Sequence, residues 1–124
     1  MRAHVAAPEV VPPRSGFFTA GAVELDCRDR QIRIGEKSAH LTPKETELLW
    51  YLISKRGAVV SHKALLTAVW GVRYANRLNY LHVFITHLRK KIEPNPAQPQ
   101  YIRTVPWVGY SFSAPDEYRE AASR

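Results

Sequence analysis

One stretch, residues 76–93 (NRLNYLHVFITHLRKKIE), limits what this chain can become, because its apolar and polar residues separate onto two sides at helical spacing. Leu81, Ile85, Leu88 and Ile92 recur at i, i+4, i+7 and i+11, the repeat of one helix face at about 3.6 residues per turn. That stripe has to be covered by a core. Between its members lie Asn79, His82, Thr86, His87, Arg89 and Lys90, compact hydrogen-bonding groups first and charges toward the end. A helix of roughly 17 residues is about 25 Å long, which suits a DNA major groove, and the segment is read as a recognition helix. Asn76 is placed to cap it; Pro94 and Pro96 stop it, since proline cannot extend the hydrogen-bond ladder.

The charge balance points the same way. Eighteen Lys+Arg against eleven Asp+Glu give the 124-residue chain a net charge of +7 and a pI near 9.9. A partner rich in negative charge is implied, nucleic acid first and an anionic membrane surface second. No apolar run approaches the ~18 residues a membrane span needs, and the first 16 residues are too polar for a signal-peptide core, so a cytoplasmic chain with no membrane partner is expected. Cys27 stands alone, which leaves no intrachain disulfide and no cysteine cluster for zinc, and it is read as an inert thiol. His82 and His87 are five residues apart. That is about 140° around a helix and does not make the i, i+4 pair of a helical zinc site, so neither a metal nor a cofactor is expected. The sequence has no glycine-rich phosphate loop, paired carboxylates in an apolar frame or nucleophile elbow, so an enzyme is not expected either.

The rest of the chain reads as a frame for that helix. Residues 1–16, with Pro8, Pro12 and Pro13, suggest a flexible linker or tail behind another domain. Residues 22–26, 31–34 and 38–41 alternate as short strands of an antiparallel meander. Thr42, Pro43 and Glu45 then form a capping box with proline at the first helical position. Leu48, Leu49, Leu52 and Ile53 supply the buried face of this helix, and Gly57 ends it. Residues 58–60 connect to a second helix, capped by Ser61, that buries Leu65, Leu66 and Val69 and closes at Gly71. After residues 72–75, a short loop, comes the recognition helix, and then residues 101–105 and 109–113 form a hairpin around Pro106, Trp107 and Val108. The expectation is an α+β fold: a winged helix-turn-helix over residues 17–113, with an N-terminal antiparallel sheet, three helices and a C-terminal β-hairpin wing. Residues 114–124 are left as a polar tail.

Four runs in this order, LTPKETELL at 41–49, LLTAVWG at 65–71, HLRKKIE at 87–93 and GYSF at 109–112, resemble the landmarks of the DNA-binding effector domains of OmpR/PhoB-class two-component response regulators. The run from Asn79 to Arg89 is most similar to the potassium-responsive branch of that class. The resemblance implies transcription regulation by sequence-specific binding to double-stranded DNA, with the third helix in the major groove. It also implies a receiver domain elsewhere in the native protein and a dimer on direct repeats.

By that similarity Asn79, His82, Val83, Thr86 and His87 point toward bases and phosphates. Arg89 and Lys90 are candidates for phosphate, because a long cation need only approach the backbone, and Lys91 is left solvated. Trp70 sits where the class places an indole that packs in the core while its N–H reaches a phosphate; a purely structural tryptophan is the equal alternative. His62 and Lys63 open the second helix, whose N-terminus can itself face a phosphate. Arg103, Thr104 and Tyr110 are wing candidates. Here the chain departs from the class: Pro106 and Trp107 stand where a basic residue and glycine are common, and Ser111 stands where arginine is common. Arg73 and Tyr74 lie in the turn that contacts RNA polymerase in the class. The rival reading is a winged-helix module that docks a protein through the third helix; it would put aromatics or leucines where this helix shows His, Thr and Arg.

Overall fold

A computed structural model describes residues 16–114; the linker and tail expected at the two ends lie outside them, apart from Gly16 and Ala114. Four short strands come first, β1 (Phe17–Ala20), β2 (Val23–Asp26), β3 (Gln31–Ile34) and β4 (Lys37–His40), paired antiparallel in sequence order. Three of these were expected. β1 was not, because Phe17-Phe18-Thr19-Ala20 does not alternate; it is held as an edge strand with Phe18 opposite Leu25 and Ala20 opposite Val23.

Helix α1 (Pro43–Ser54) starts as its sequence demands, with Thr42 Oγ1 accepting from the Glu45 amide and Glu45 Oε1 accepting from the Thr42 amide. β5 (Val59–Ser61) follows, then α2 (His62–Trp70), capped by the Ser61 hydroxyl on the Ala64 amide and closed by Gly71 at φ 102°. The loop at 72–75 is a 3-10 turn, Val72–Tyr74, and α3 (Leu78–Ile92) comes after it. β6 (Ile102–Val105) and β7 (Gly109–Phe112) form the hairpin, and β5 pairs with β7 to complete a second sheet in the order β5-β7-β6. Gly109 permits that closure: a β-carbon there would run into the carbonyl oxygen of Val60.

The leucine-rich faces meet in one core. Leu48, Leu49 and Leu52 of α1, Leu65, Leu66 and Val69 of α2, and Leu81, Ile85, Leu88 and Ile92 of α3 are buried together. Val23, Leu25 and Ile32 close this core from the first sheet, and Ile102 and Phe112 from the second. The apolar stripe read from residues 76–93 is thus the inner face of α3. Its cap is not Asn76, however. Turn hydrogen bonds run on from Ala75 N–H to Val72 O and from Arg77 N–H to Tyr74 O, so the helix begins after Arg77, which makes no side-chain cap.

Glu45 does more than cap α1. Its Oε1 also accepts from Lys91 Nζ at 2.6 Å, and the same ammonium donates to His40 O at 2.9 Å. Lys91, expected to be solvated, instead ties α3 to β4 and to the start of α1. Burial works to raise the pKa of Glu45, but hydrogen bonds from Lys91 and Thr42 and the charge of Lys91 outweigh it, and the carboxyl ends below its ordinary 4.5. A depressed carboxylate adds stability above its unfolded pKa, and that stability is lost as pH falls through the folded value. Glu45→Gln keeps the Thr42 bond and removes the charge. The difference in urea stability between wild type and Glu45→Gln should therefore be full above about pH 5 and shrink toward zero under acid; a pH-independent difference would contradict this.

Candidate nucleic-acid interface

The outer face of α3 is built by default: once the stripe from Leu81 to Ile92 is buried, residues on the opposite side must face out. Asn79, His82, Val83, Thr86, His87 and Lys90 are all exposed and fall on that side. Among the described residues no strand or loop covers them, and Val83 is 49% exposed. Polar donors and acceptors alternate here with one branched methyl group, the mixture that base edges and a thymine methyl require.

His62, at the first turn of α2, extends the surface. Its ring lies edge-on to His82 at 6.1 Å between centroids and to Tyr110 at 5.7 Å, so α2, α3 and β7 meet at these three side chains. The helix N-terminus is less available than expected. The His62 amide donates to Val108 O at 3.1 Å, and the Ala64 amide is taken by Ser61. Lys63 is exposed beside them.

Two expectations on the far side are corrected. Arg89 does not turn outward to phosphate: Nε and Nη2 donate to Ile102 O at 3.0 and 2.7 Å, Nη2 donates to Thr104 Oγ1 at 2.8 Å, and the guanidinium lies 5.6 Å over the Tyr110 ring. Tyr110 is only 4% exposed and forms the floor of the wing, not its contact surface. Burial lowers the pKa of Arg89, against the opposing charges of Tyr110 and Glu93, and burial raises that of Tyr110 against the charge of Arg89. Thr104 keeps an exposed side chain although its hydroxyl accepts from Arg89, and Arg103 is exposed next to it.

Glu93 was not singled out by sequence, and it completes the attachment. Its carboxylate, 1% exposed, accepts from the amides of Gln100 (2.7 Å), Tyr101 (3.1 Å) and Ile102 (2.8 Å). The strand expected from residue 101 starts one residue later, at Ile102. The readable signal was a glutamate immediately after the last apolar position and before Pro94, where a solvated helix end was the simpler assumption.

Trp70 is half-buried and packs edge-to-face on Phe84 (5.0 Å) and Tyr80 (6.5 Å), a packing that both of its readings share. In the turn before α3, Arg73 is exposed, while Tyr74 leans on Tyr80 and both rings lie under the Arg77 guanidinium at 5.7 and 5.8 Å. Cys27 is buried and its thiol is pushed up to about 11 by burial and by Asp26, as an inert thiol would be. Among the described residues no cluster of His, Cys, Asp or Glu could hold a metal ion, and no helix is long and apolar enough to cross a membrane.

A family model described as "Transcriptional regulatory protein, C terminal" matches residues 35–112, more than half of the chain. The chain belongs to that family. Over 90 residues it is 39% identical to the KDP operon transcriptional regulatory protein KdpE of Escherichia coli, covering 73% of this chain and 40% of that protein. KdpE of Mycobacterium tuberculosis is 32% identical over 114 residues, 92% of this chain and 49% of that protein. The chain thus spans about half or less of the relatives it matches. Among solved structures, the Klebsiella pneumoniae RstA DNA-binding domain in complex with the RstA box is similar with a TM-score of 0.69 at 31% identity, over 78% of this chain and 96% of that one. The winged-helix fold and the OmpR/PhoB resemblance both stand.

Because Arg89 holds the hairpin while Lys90 faces solvent, their alanine variants should separate in urea unfolding. Arg89→Ala should cost about 2 kcal/mol and Lys90→Ala less than about 0.5 kcal/mol. Equal small losses would mean that the Arg89 bonds to Ile102 and Thr104 add nothing to the fold.

Proposed function

We propose that this domain binds double-stranded DNA at promoters by laying α3 in the major groove, and that it serves as the effector domain of a cytoplasmic two-component response regulator. The observation that carries the reading is the uncovered polar face of α3 lying directly opposite its buried stripe. Asn79, His82, Val83, Thr86 and His87 supply base readout there. Lys63, Lys90 and Arg103 supply exposed cations for the phosphates on either side, while Arg89, Thr104 and Tyr110 hold the wing in position. The likeness to a domain solved on its DNA box supports the same docking mode.

The family and the relatives extend the proposal beyond this chain. A receiver domain elsewhere in the protein, a dimer on direct repeats, and a contact of the turn around Arg73 and Tyr74 with RNA polymerase fit the response-regulator pattern. Arg73 is free to serve in that turn; the Tyr74 ring is already stacked.

Selecting bound duplexes from a random pool, followed by anisotropy titrations on the selected and a scrambled duplex across salt, tests the reading. With about five phosphates neutralised, log K should fall against log salt with a slope near −4 to −5. His82→Ala or Thr86→Ala should cost about 1–3 kcal/mol on the selected site and little on the scrambled one, whereas Lys90→Ala should weaken both alike. Equal losses on both duplexes for His82→Ala would remove that residue from base readout. No binding by the wild type at low salt would overturn the proposal.

A further inference from the structure

The tip of the wing carries a side chain with no place in the fold. Trp107 is 98% exposed, the most exposed of the large apolar side chains, with Val108 beside it at 47% and Pro106 also exposed. Its backbone is left-handed, at φ 68°, a conformation that glycine adopts freely and a tryptophan adopts against steric resistance. No aromatic or cation contact is formed by its ring among the described residues. An indole held outward on a strained turn buries almost none of its apolar surface, and leaving that surface in water is unfavourable.

Its position decides what it can meet. Val108 N–H donates to Val105 O, closing the turn, and Val108 O accepts from the His62 amide, so the tip is fastened to the first residue of α2. Ser61, His62, Lys63, Asn76, Leu78 and Val108 line an open groove of ≈ 430 Å³ between the tip and the starts of α2 and α3. The tip is therefore continuous with the proposed DNA surface, with the exposed Lys63 lining the same groove and the exposed Arg103 on the β6 strand of the same hairpin. With α3 in the major groove, the next recess across a phosphate ridge is the minor groove. Cations alongside and an apolar group at the point suit that recess: charge for its phosphate rims, hydrocarbon and ring face for its deoxyribose walls and base-pair edges.

We infer that Trp107 is an apolar minor-groove contact, packing its indole between the sugar walls so that the wing tip grips DNA without adding charge. The inference rests on the proposed DNA-binding function. It separates from ordinary wing electrostatics by its salt dependence, because an apolar contact releases no counterions.

The test uses the full chain and sonicated calf-thymus duplex. Glycine fits φ 68°, so Trp107→Gly should fold at least as stably as wild type. It should bind roughly tenfold more weakly at every salt concentration with the salt slope unchanged, and Trp107→Phe should keep most of the affinity. Arg103→Gln should instead flatten the slope by about one. In acrylamide quenching of the wild type, the readily quenched emission should come from Trp107, be missing in Trp107→Phe, and become protected when duplex is added. Trp107→Gly binding as tightly as wild type, or emission that stays equally quenchable in the complex, would overturn the inference while leaving DNA binding intact. Protection that appears with protein concentration alone would overturn it in favour of a contact between copies. If wild type binds no duplex, this inference and the function beneath it fall together.

Discussion

Three charged side chains in the last turns of α3 hold the molecule's working parts in register. Arg89 reaches from one flank of the helix to the carbonyl of Ile102 and the hydroxyl of Thr104. Lys91 reaches from the other flank to His40 O and to the carboxylate that caps α1. Glu93 closes the end by gathering three successive amides at the start of β6. Each bond involves a charged partner, and such bonds are about twice as strong as neutral ones; those to Ile102 O, to the Glu45 carboxylate and from the β6 amides are also partly or fully buried. All three charges face a backbone group, so they fix the path of the chain and not merely another side chain.

The consequence for function is a division of labour along one helix. The inner stripe makes the core, the two flanks make the scaffold, and only the outer stripe remains free for a ligand. A helix anchored this way presents its outer face and the wing as one body, so in the proposed DNA complex little ordering is left to be done on binding. The positive charge of the domain is correspondingly split. Arg89 and Lys91 are spent internally, while Lys63, Lys90 and Arg103 stay exposed for phosphate. Counting basic residues along α3 overstates its electrostatic footprint for this reason.

Periodicity and capping chemistry made most of the architecture legible. The stripe of α3, the Thr42–Glu45 box and the Ser61 cap are each decided by neighbours within a few residues, and all three appear as read. What escaped was decided over longer distances. Glu93 and Arg89 look like the solvated end of a basic helix until the hairpin returns to meet them. Tyr110 looks like a wing contact until Arg89 and His62 close over its ring. The cap at Asn76 failed for a local reason that pattern alone does not reveal, a 3-10 turn that carries its hydrogen bonds one step further. Conversely, the departure visible in sequence, a tryptophan set where a glycine is common, falls on a left-handed position at φ 68°.

Site-resolved hydrogen exchange on the free domain tests the attachment of wing to helix most directly. If the Glu93 carboxylate holds the amides of Gln100, Tyr101 and Ile102, all three should be protected without DNA and should open together with the amides of α3. Exchange of those three at the rate of an exposed loop, while α3 stays protected, would show that helix and wing are joined only by the chain between them.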